Sequence, residues 1–191
     1  RARALGLVPT SAPDDLSAQI TERDMTALLT AYIAAAAPDK LPDWEALSAP
    51  AAQSDYEMNR GDGMIALFEA AMTVGMDVTA GDLAWENFGR MNEAQGDAWR
   101  EIDNANWDIY PNTQETGIDP ENPNLCLYHL ALLFACGHKY QAVDSYLLDY
   151  DEANGTFYGM EPLTWEAALN ATVRLYDSRN ADNDKLYLAH P

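Results

Sequence analysis

The clearest periodicity of apolar and polar positions is helical, and it recurs in three segments of the chain. Apolar side chains spaced i, i+3, i+4, i+7 predict a helix with one buried face from Thr21 to Ala37, which Pro38 should end. The same pattern predicts helices from Asn59 to Val74, with Gly75 as the C-cap, and from Thr164 to Asp177. The first stripe consists of Met25, Leu28, Leu29, Tyr32, Ile33 and Ala36.

Other segments have weaker patterns. A hairpin is predicted for residues 146–158, because Asn154-Gly155 is a strong turn signal between two aromatic-rich runs. The remaining predictions are a short helix over residues 1–7, a loop with one turn near Trp44 over 38–57, a helix over 80–105, a long loop over 103–124, a buried helix over 125–136 and a polar tail over 178–191. The expected fold class is therefore all-α with one small β-hairpin.

Charge excludes several kinds of partner. The 191 residues include 31 acidic and 11 basic side chains, which give a net charge of −20. A nucleic-acid surface needs a cationic protein face to displace counterions, and an anionic membrane would repel this chain. No apolar run approaches the roughly 20 residues that a membrane-spanning helix needs. We therefore expect no nucleic-acid binding and no membrane insertion, while the 48% apolar content is enough for a folded core.

The sequence leaves open the redox compartment and the targeting of the protein. Cys126 and Cys136 would lie roughly 15 Å apart in one helix, too far for a disulfide, and are expected to be buried thiols. The chain begins at Arg1 rather than Met, which we interpret as a mature or trimmed product, so a signal peptide that is not visible carries no weight.

The three strong helices begin alike. Each has an apolar residue, then the cap residue Thr21, Asn59 or Thr164, then a charged first turn. In physical terms this is a hydrophobic staple followed by an N-cap, a start that any helix can use.

The flanks of these starts carry a resemblance to a known family. Residues 4–9 contain Leu5-Gly6-Leu7-Val8-Pro9, and residues 154–157 (Asn-Gly-Thr-Phe) precede Pro162 and the third start. Together with the helix starts they resemble S-layer homology modules of bacterial surface proteins, most closely over residues 154–176. Those modules have a Gly-Leu-Val type turn, a Gly-x-Phe-x-Pro loop and an Ile-Thr-Arg-Ala-Glu helix start, and the similar stretches cover less than half of this chain.

The resemblance implies a fold and a function. Modules of this family gather three helix starts around a pseudo-threefold axis and hold cell-wall polysaccharide in the grooves between them, with the motif arginine on anionic sugar groups. In this chain Arg60 keeps that arginine, whereas Glu22 and Trp165 occupy the matching positions. Arg60 and Asn59 would then contact the ligand at a helix N-terminus, which favours an anion; Thr21, Thr164 and Trp165 are the matching residues of the other starts.

The resemblance also sets the expected organisation and location. Residues 1–191 would form a single S-layer-homology-like domain, with a first pair of units over 1–79, an inserted helix and long loop over 80–124 and a last unit over 125–191. The protein would be extracellular or displayed on the cell surface, with wall polysaccharide or a surface protein as its partner. Its expected role is non-catalytic: wall or glycan attachment, or structural spacing.

Two other functions stay open. Three Trp-Glu pairs, together with Trp99, Trp107 and Glu101, could line a sugar-stacking cleft with paired carboxylates, as in a carbohydrate-active enzyme or its accessory domain. The pairs are Trp44-Glu45, Trp85-Glu86 and Trp165-Glu166. The third possibility is a protein-interaction module of a longer surface protein, whose acidic surface keeps it soluble.

Catalytic and metal-binding motifs are lacking. The acidic run from Asp149 fails the EF-hand pattern, because Ala153 stands where a fifth-position ligand is needed and Gly155 comes one residue late. No His-Glu-x-x-His, phosphate-binding loop, dinucleotide motif or Gly-x-Ser-x-Gly is present. We therefore predict no catalytic residue, no cofactor and no dedicated metal site, although a surface calcium ion stays open.

Overall fold

The fold is all-α, as expected. The computed structural model describes residues 1–76, 131, 134–135, 143, 145–149 and 157–179. Within these ranges the helices are α1 (Glu22–Ala36), α2 (Leu41–Ser48), α3 (Arg60–Thr73) and α4 (Trp165–Ser178). Short 3₁₀ turns occupy Ala2–Leu5, Pro38–Lys40 and Ala51–Gln53. The described residues contain isolated β-bridges but no sheet.

The three strongly periodic helices are confirmed to within one or two residues at each end. α1 ends before Pro38, whose ring starts a 3₁₀ turn instead of continuing the helix. α3 ends in a Schellman motif, in which Gly75 adopts φ +77°. The Gly75 N–H donates there to the Met72 carbonyl and the Met76 N–H to the Ala71 carbonyl, each at 3.0 Å. Capping and amphipathic spacing therefore predicted these helices correctly.

The loop predicted for residues 38–57 is wrong, because this segment contains α2. Pro42 lies in the first turn of that helix, where its missing N–H is harmless. Trp44 is only 3% exposed, and its indole N–H donates to the Thr30 hydroxyl at 2.9 Å. Trp44 and Ser48 are the buried residues of α2, so the short helix has too small an apolar stripe for periodicity to reveal it. Packing against α1 stabilises it instead.

The short helix predicted for residues 1–7 is a 3₁₀ turn over Ala2–Leu5. Gly6 ends it with φ +72°, and the N–H of Leu7 donates to the Ala2 carbonyl at 3.0 Å. This turn delivers Leu7 into the core, where it is fully buried. An ion pair of 2.5 Å between Arg1 and Asp177 joins the turn to α4.

One hydrophobic core unites α1, α3 and α4. Tyr32 and Phe68 are among its largest fully buried side chains, and Phe68 meets Phe134 edge to face with ring centroids 5.5 Å apart. Leu147 and Leu148 are buried in the same core, and the Leu147 N–H donates to the Ala135 carbonyl at 3.0 Å. The distant last segment of the chain thus shares its core with the first 76 residues.

Several predictions fall on residues outside the described ranges. These are the helix over 80–105, the loop over 103–124, most of the helix over 125–136, both cysteines, the Asn154-Gly155 turn and the end of the tail. Ala131, Phe134 and Ala135 are helical where the buried helix is predicted. The described flanks of the hairpin, 146–149 and 157–158, contain no strand. The unit boundaries near residues 80 and 125 stay predictions.

Candidate functional site

The three helix starts are joined by a closed ring of backbone hydrogen bonds. The apolar residue before each cap (Ile20, Met58 or Leu163) donates its N–H to one of the other two and accepts from the remaining one. The Ile20 N–H donates to the Leu163 carbonyl at 2.9 Å. The Leu163 N–H donates to Met58 at 3.0 Å, and the Met58 N–H donates to Ile20 at 3.0 Å. All three side chains are at most 4% exposed. The helix starts therefore meet around a pseudo-threefold axis through the core.

A second layer of hydrogen bonds repeats the same symmetry. The first two N–H groups of each helix donate to carbonyls that lie three and five residues before the cap of the next helix start. These pairs are Glu22 to Tyr56 (2.8 Å), Arg23 to Ser54 (3.0 Å), Arg60 to Glu161 (2.9 Å), Gly61 to Gly159 (2.9 Å), Trp165 to Ala18 (3.0 Å) and Glu166 to Leu16 (2.9 Å). We call these bonds, with the three in the core, the helix-start ring.

Cap side chains satisfy the third N–H group of each helix. The Thr21 and Thr164 hydroxyls accept from the third helical N–H at 3.2 Å, and the Asn59 amide oxygen accepts from the Asp62 N–H at 2.8 Å. Asp62 returns the bond by accepting from the Asn59 N–H at 3.1 Å, which completes a capping box. The N–H groups expected to favour an anion at these N-termini are thus bonded within the protein. Ligand contact by Thr21, Asn59 and Thr164 stays a prediction.

Arg60 makes its contacts inside the protein. Its Nε donates to the Phe157 carbonyl at 3.1 Å, a terminal nitrogen donates to the Asp149 carbonyl, and the guanidinium carbon lies 5.0 Å from the centroid of the Phe157 ring. Arg174 approaches the same segment and pairs with the Asp149 carboxylate at 2.7 Å. Arg60 therefore holds residues 149 and 157 against the start of α3, whatever else it contacts.

The described tryptophans of the Trp-Glu pairs are core residues. Trp44 is 3% exposed and Trp165 is 2% exposed, whereas Glu45 and Glu166 lie at the surface. Neither indole presents a face on which a sugar could stack, so ligand contact by Trp165 would require its exposure. The pair at residues 85–86 and the residues Trp99, Glu101 and Trp107 lie outside the described ranges.

A groove beside the helix-start ring was not predicted from the sequence. It lies between α1, α2 and α3 and encloses about 330 Å³. Each of α1 and α3 contributes four residues spaced i, i+3, i+4, i+7, with an acid at the first position. The lining residues are Glu22, Met25, Thr26 and Leu29 of α1, Asp62, Ile65, Ala66 and Glu69 of α3, and Trp44, Leu47, Ser48, Ala51, Tyr56 and Met58 from the segment between them. We call this the α1–α3 groove.

The α1–α3 groove is negatively charged. Three carboxylates line it, those of Glu22, Asp62 and Glu69, and among the residues that the structure describes no lysine, arginine or histidine does. The Tyr56 hydroxyl donates to the Asp62 carboxylate at 3.1 Å. Partial burial raises the pKa of Glu69, and burial together with the Asp62 charge raises the pKa of Tyr56. An anion entering this groove would be repelled.

A signal for the groove was present in the sequence. On α3 the groove-lining stripe runs beside the stripe that forms the core, so apolar residues extend beyond what the core needs. Met25 and Leu29 of α1 belong to both stripes, and Ile65 and Ala66 widen the one on α3. How much of this second stripe stays uncovered depends on the path of residues 41–58. The sequence pattern predicts a loop there, so it could not show that a groove forms.

The donor sets described do not suit a metal ion. Among residues of the described ranges, no three His, Cys, Asp or Glu side chains come close enough together to hold one. In that same part of the chain, every helix is too short or too polar to cross a bilayer. Comparison of the chain with known proteins finds no matching family model, no matching curated protein and no matching solved structure.

Proposed function

We propose that this chain is a non-catalytic domain of the S-layer homology type, displayed on a bacterial cell surface. Its role is attachment to wall polymer or glycan, or structural spacing between other parts of a surface protein. The observation that carries the proposal is the helix-start ring, because three helix starts around one axis are what the sequence resemblance implies. The same ring joins residues 16–21, 54–59 and 159–164, which lie far apart in the sequence.

The ring explains how such a domain tolerates divergence. Its bonds are made by backbone atoms and by short cap side chains, so the first side chain of each helix takes no part in closing it. Glu22, Arg60 and Trp165 occupy that position in α1, α3 and α4. A scaffold of this kind can lose motif arginines and keep its shape, so attachment and spacing are roles of one fold that differ in surface chemistry.

The test of attachment is sedimentation with purified Gram-positive cell-wall sacculi. Sacculi with and without their secondary wall polymer are compared at low and high salt concentration. Binding that needs the polymer and weakens with salt supports attachment, because an arginine contact with an anionic glycan is screened by salt. Absence of binding in all four conditions contradicts attachment and leaves spacing.

A matched pair of variants separates attachment from folding. Arg60→Ala should abolish polymer-dependent binding, and Arg23→Ala should not, because Arg23 lies on the surface of α1 and pairs with Asp55 at 2.5 Å. Both proteins are first checked by circular dichroism and thermal unfolding, since Arg60 also holds residues 149 and 157 in place. Folded Arg60→Ala that binds like the wild type would contradict the role of Arg60.

A further inference from the structure

The α1–α3 groove combines three features that the core and the helix-start ring do not have. It is concave, its walls are largely apolar, and the charged groups among its described lining residues all have one sign. Apolar clefts with a few convergent polar groups are the usual form of a binding site, and 300 Å³ is near the lower end of their size range. A groove of about 330 Å³ therefore suits a single long side chain better than a polysaccharide segment.

The carboxylates are arranged around the apolar walls rather than gathered at one point. Glu22 lies at the start of α1, and Asp62 and Glu69 lie two helical turns apart on α3, with Ile65 and Ala66 between them. The described residues bring together no metal-binding set, so these acids do not form a compact cation cage. A larger organic cation, with an aliphatic stem and a charged head, matches both parts of the lining.

Of the two groove acids on α3, Glu69 favours a bound cation more strongly. Its side chain is half-buried, and no bond to its carboxylate from another described side chain is present. Asp62, by contrast, already accepts from the Asn59 N–H and the Tyr56 hydroxyl. A partly desolvated carboxylate that lacks a partner is unfavourable in the free protein and gains most when a cation arrives.

The rim indicates a peptide rather than a small amine. Leu47 and Tyr56 stand at the edge of the groove and are 57% and 54% exposed, which is high for large apolar side chains. They extend the apolar surface beyond the cavity, where residues flanking a bound side chain would lie, and tyrosine is typical of protein interfaces. A second copy of this chain is disfavoured by its charge of −20, which repels itself and attracts a basic partner.

We propose that the α1–α3 groove binds a lysine or arginine side chain that a segment of another protein presents between apolar residues. The aliphatic stem packs between Met25 and Ile65, and the charged head lies among Glu22, Asp62 and Glu69. Leu47 and Tyr56 contact the flanking apolar residues. The site is independent of wall attachment, since it uses neither Arg60 nor the cap residues.

The experiment uses three probes on the whole chain. They are the peptide acetyl-Gly-Leu-Lys-Leu-Gly-amide, the same peptide with norleucine for lysine, and n-butylammonium. Affinity is measured by calorimetric titration, and the site is located by NMR of methyl-labelled methionines. Met25 and Met58 line the groove, whereas Met160 is exposed elsewhere and serves as the internal control.

The lysine peptide should bind at least tenfold more tightly than either other probe, and should shift the signals of Met25 and Met58 but not that of Met160. Equal binding of the norleucine peptide would show that the lysine charge contributes nothing to binding. Equal binding of n-butylammonium would show that the flanking residues are not contacted. Either result, or no binding of the lysine peptide, overturns the proposal.

Variants test the same contacts from the protein side. Glu22→Gln/Glu69→Gln should weaken the lysine peptide at least tenfold, while Glu45→Gln, an exposed acid of α2 outside the groove, should change it less than twofold. Ala66→Lys places an ammonium of the protein's own within reach of Asp62 and Glu69, four residues before and three after, and should abolish binding. A folded Ala66→Lys protein that still binds the peptide, or unchanged binding by the double variant, overturns the proposal.

Discussion

The helix-start ring and the α1–α3 groove lie side by side and differ in how completely their polar groups are paired. In the ring, the first three N–H groups of α1, α3 and α4 all have an acceptor, and the side chains at its centre are buried. In the groove, three carboxylates lie among largely apolar walls, and the described lining residues include no basic side chain. Complete pairing fixes a structure, whereas incomplete pairing leaves free energy that a partner can recover.

The first helical positions show the same contrast within one symmetric arrangement. Their backbone N–H groups make equivalent bonds, yet their side chains have three different roles. Trp165 is in the core, Arg60 ties two segments to α3, and Glu22 lines the groove. Backbone symmetry thus supports the fold, and the variable side chains decide what each side of the ring can bind.

The largest effect is expected where α3 passes closest to the ring. A Cβ atom on Gly63 would overlap the Leu163 side chain, which is fully buried. Leu163→Ala should cost about 2–5 kcal/mol by leaving a cavity, and Gly63→Ala about 1–3 kcal/mol by overpacking. Urea unfolding measures both.

The double variant sharpens this test. In the Leu163→Ala background the added methyl group of Gly63→Ala enters the space left by leucine and improves helix propensity, so its effect should vanish or become stabilising. Equal destabilisation by Gly63→Ala in both backgrounds would contradict the close approach.

Arg60 should have the next largest effect on stability. Arg60→Ala removes a charged donor from two backbone carbonyls and should cost about 1–3 kcal/mol. Arg60→Lys should recover only part, because an ammonium lacks the planar fork that reaches the Phe157 and Asp149 carbonyls together. Arg23→Ala is the control and should cost under about 1 kcal/mol, as is usual for a surface ion pair. Chemical denaturation of the three variants checks this order.

The three caps should differ slightly although their positions are equivalent. Thr21→Ala, Asn59→Ala and Thr164→Ala should each cost about 1 kcal/mol. Asn59→Ala should cost most, because the bond that it removes from the capping box, from the Asp62 N–H to the Asn59 amide oxygen, is 2.8 Å long, whereas both threonine cap bonds are 3.2 Å. Thermal unfolding at neutral pH measures the three losses, and identical values would mean that the box adds nothing.

The smallest effect has the opposite sign and belongs to the groove. Burial raises the pKa of Glu69 in the folded protein, so folding favours its protonated form and stability falls as pH rises from the ordinary carboxyl pKa through the raised one. Glu69→Gln removes that loss and should raise Tm at pH 7 and above, with a difference that shrinks toward acid pH. Glu45→Gln, on the exposed side of α2, should show no such trend. A lower Tm for Glu69→Gln at pH 7 would mean that its carboxylate is stabilised by a partner.

Sequence pattern predicted the helices that have both a cap and a long apolar stripe. Thr21, Asn59 and Thr164 mark helix starts in the sequence, and each of them accepts the bond expected of an N-cap. The pattern failed for α2, since a helix of eight residues with a buried Trp44 and Ser48 depends on α1 for its stability. The candidate site residues follow from a motif, which implies a ligand contact for Arg60 but not its bonds to the Phe157 and Asp149 carbonyls.

By itself the sequence determined the helical class, the three helix starts and the acidic charge, because caps, periodicity and composition act over a few residues or over the whole chain. Only the tertiary structure decided that Ile20, Met58 and Leu163 close a ring, that Trp165 is buried and that Glu22 and Glu69 line one groove. Those facts depend on which segments meet. Contacts between residues as far apart in the sequence as Leu16 and Glu166 are set by the packing of the complete core, and no local pattern encodes them.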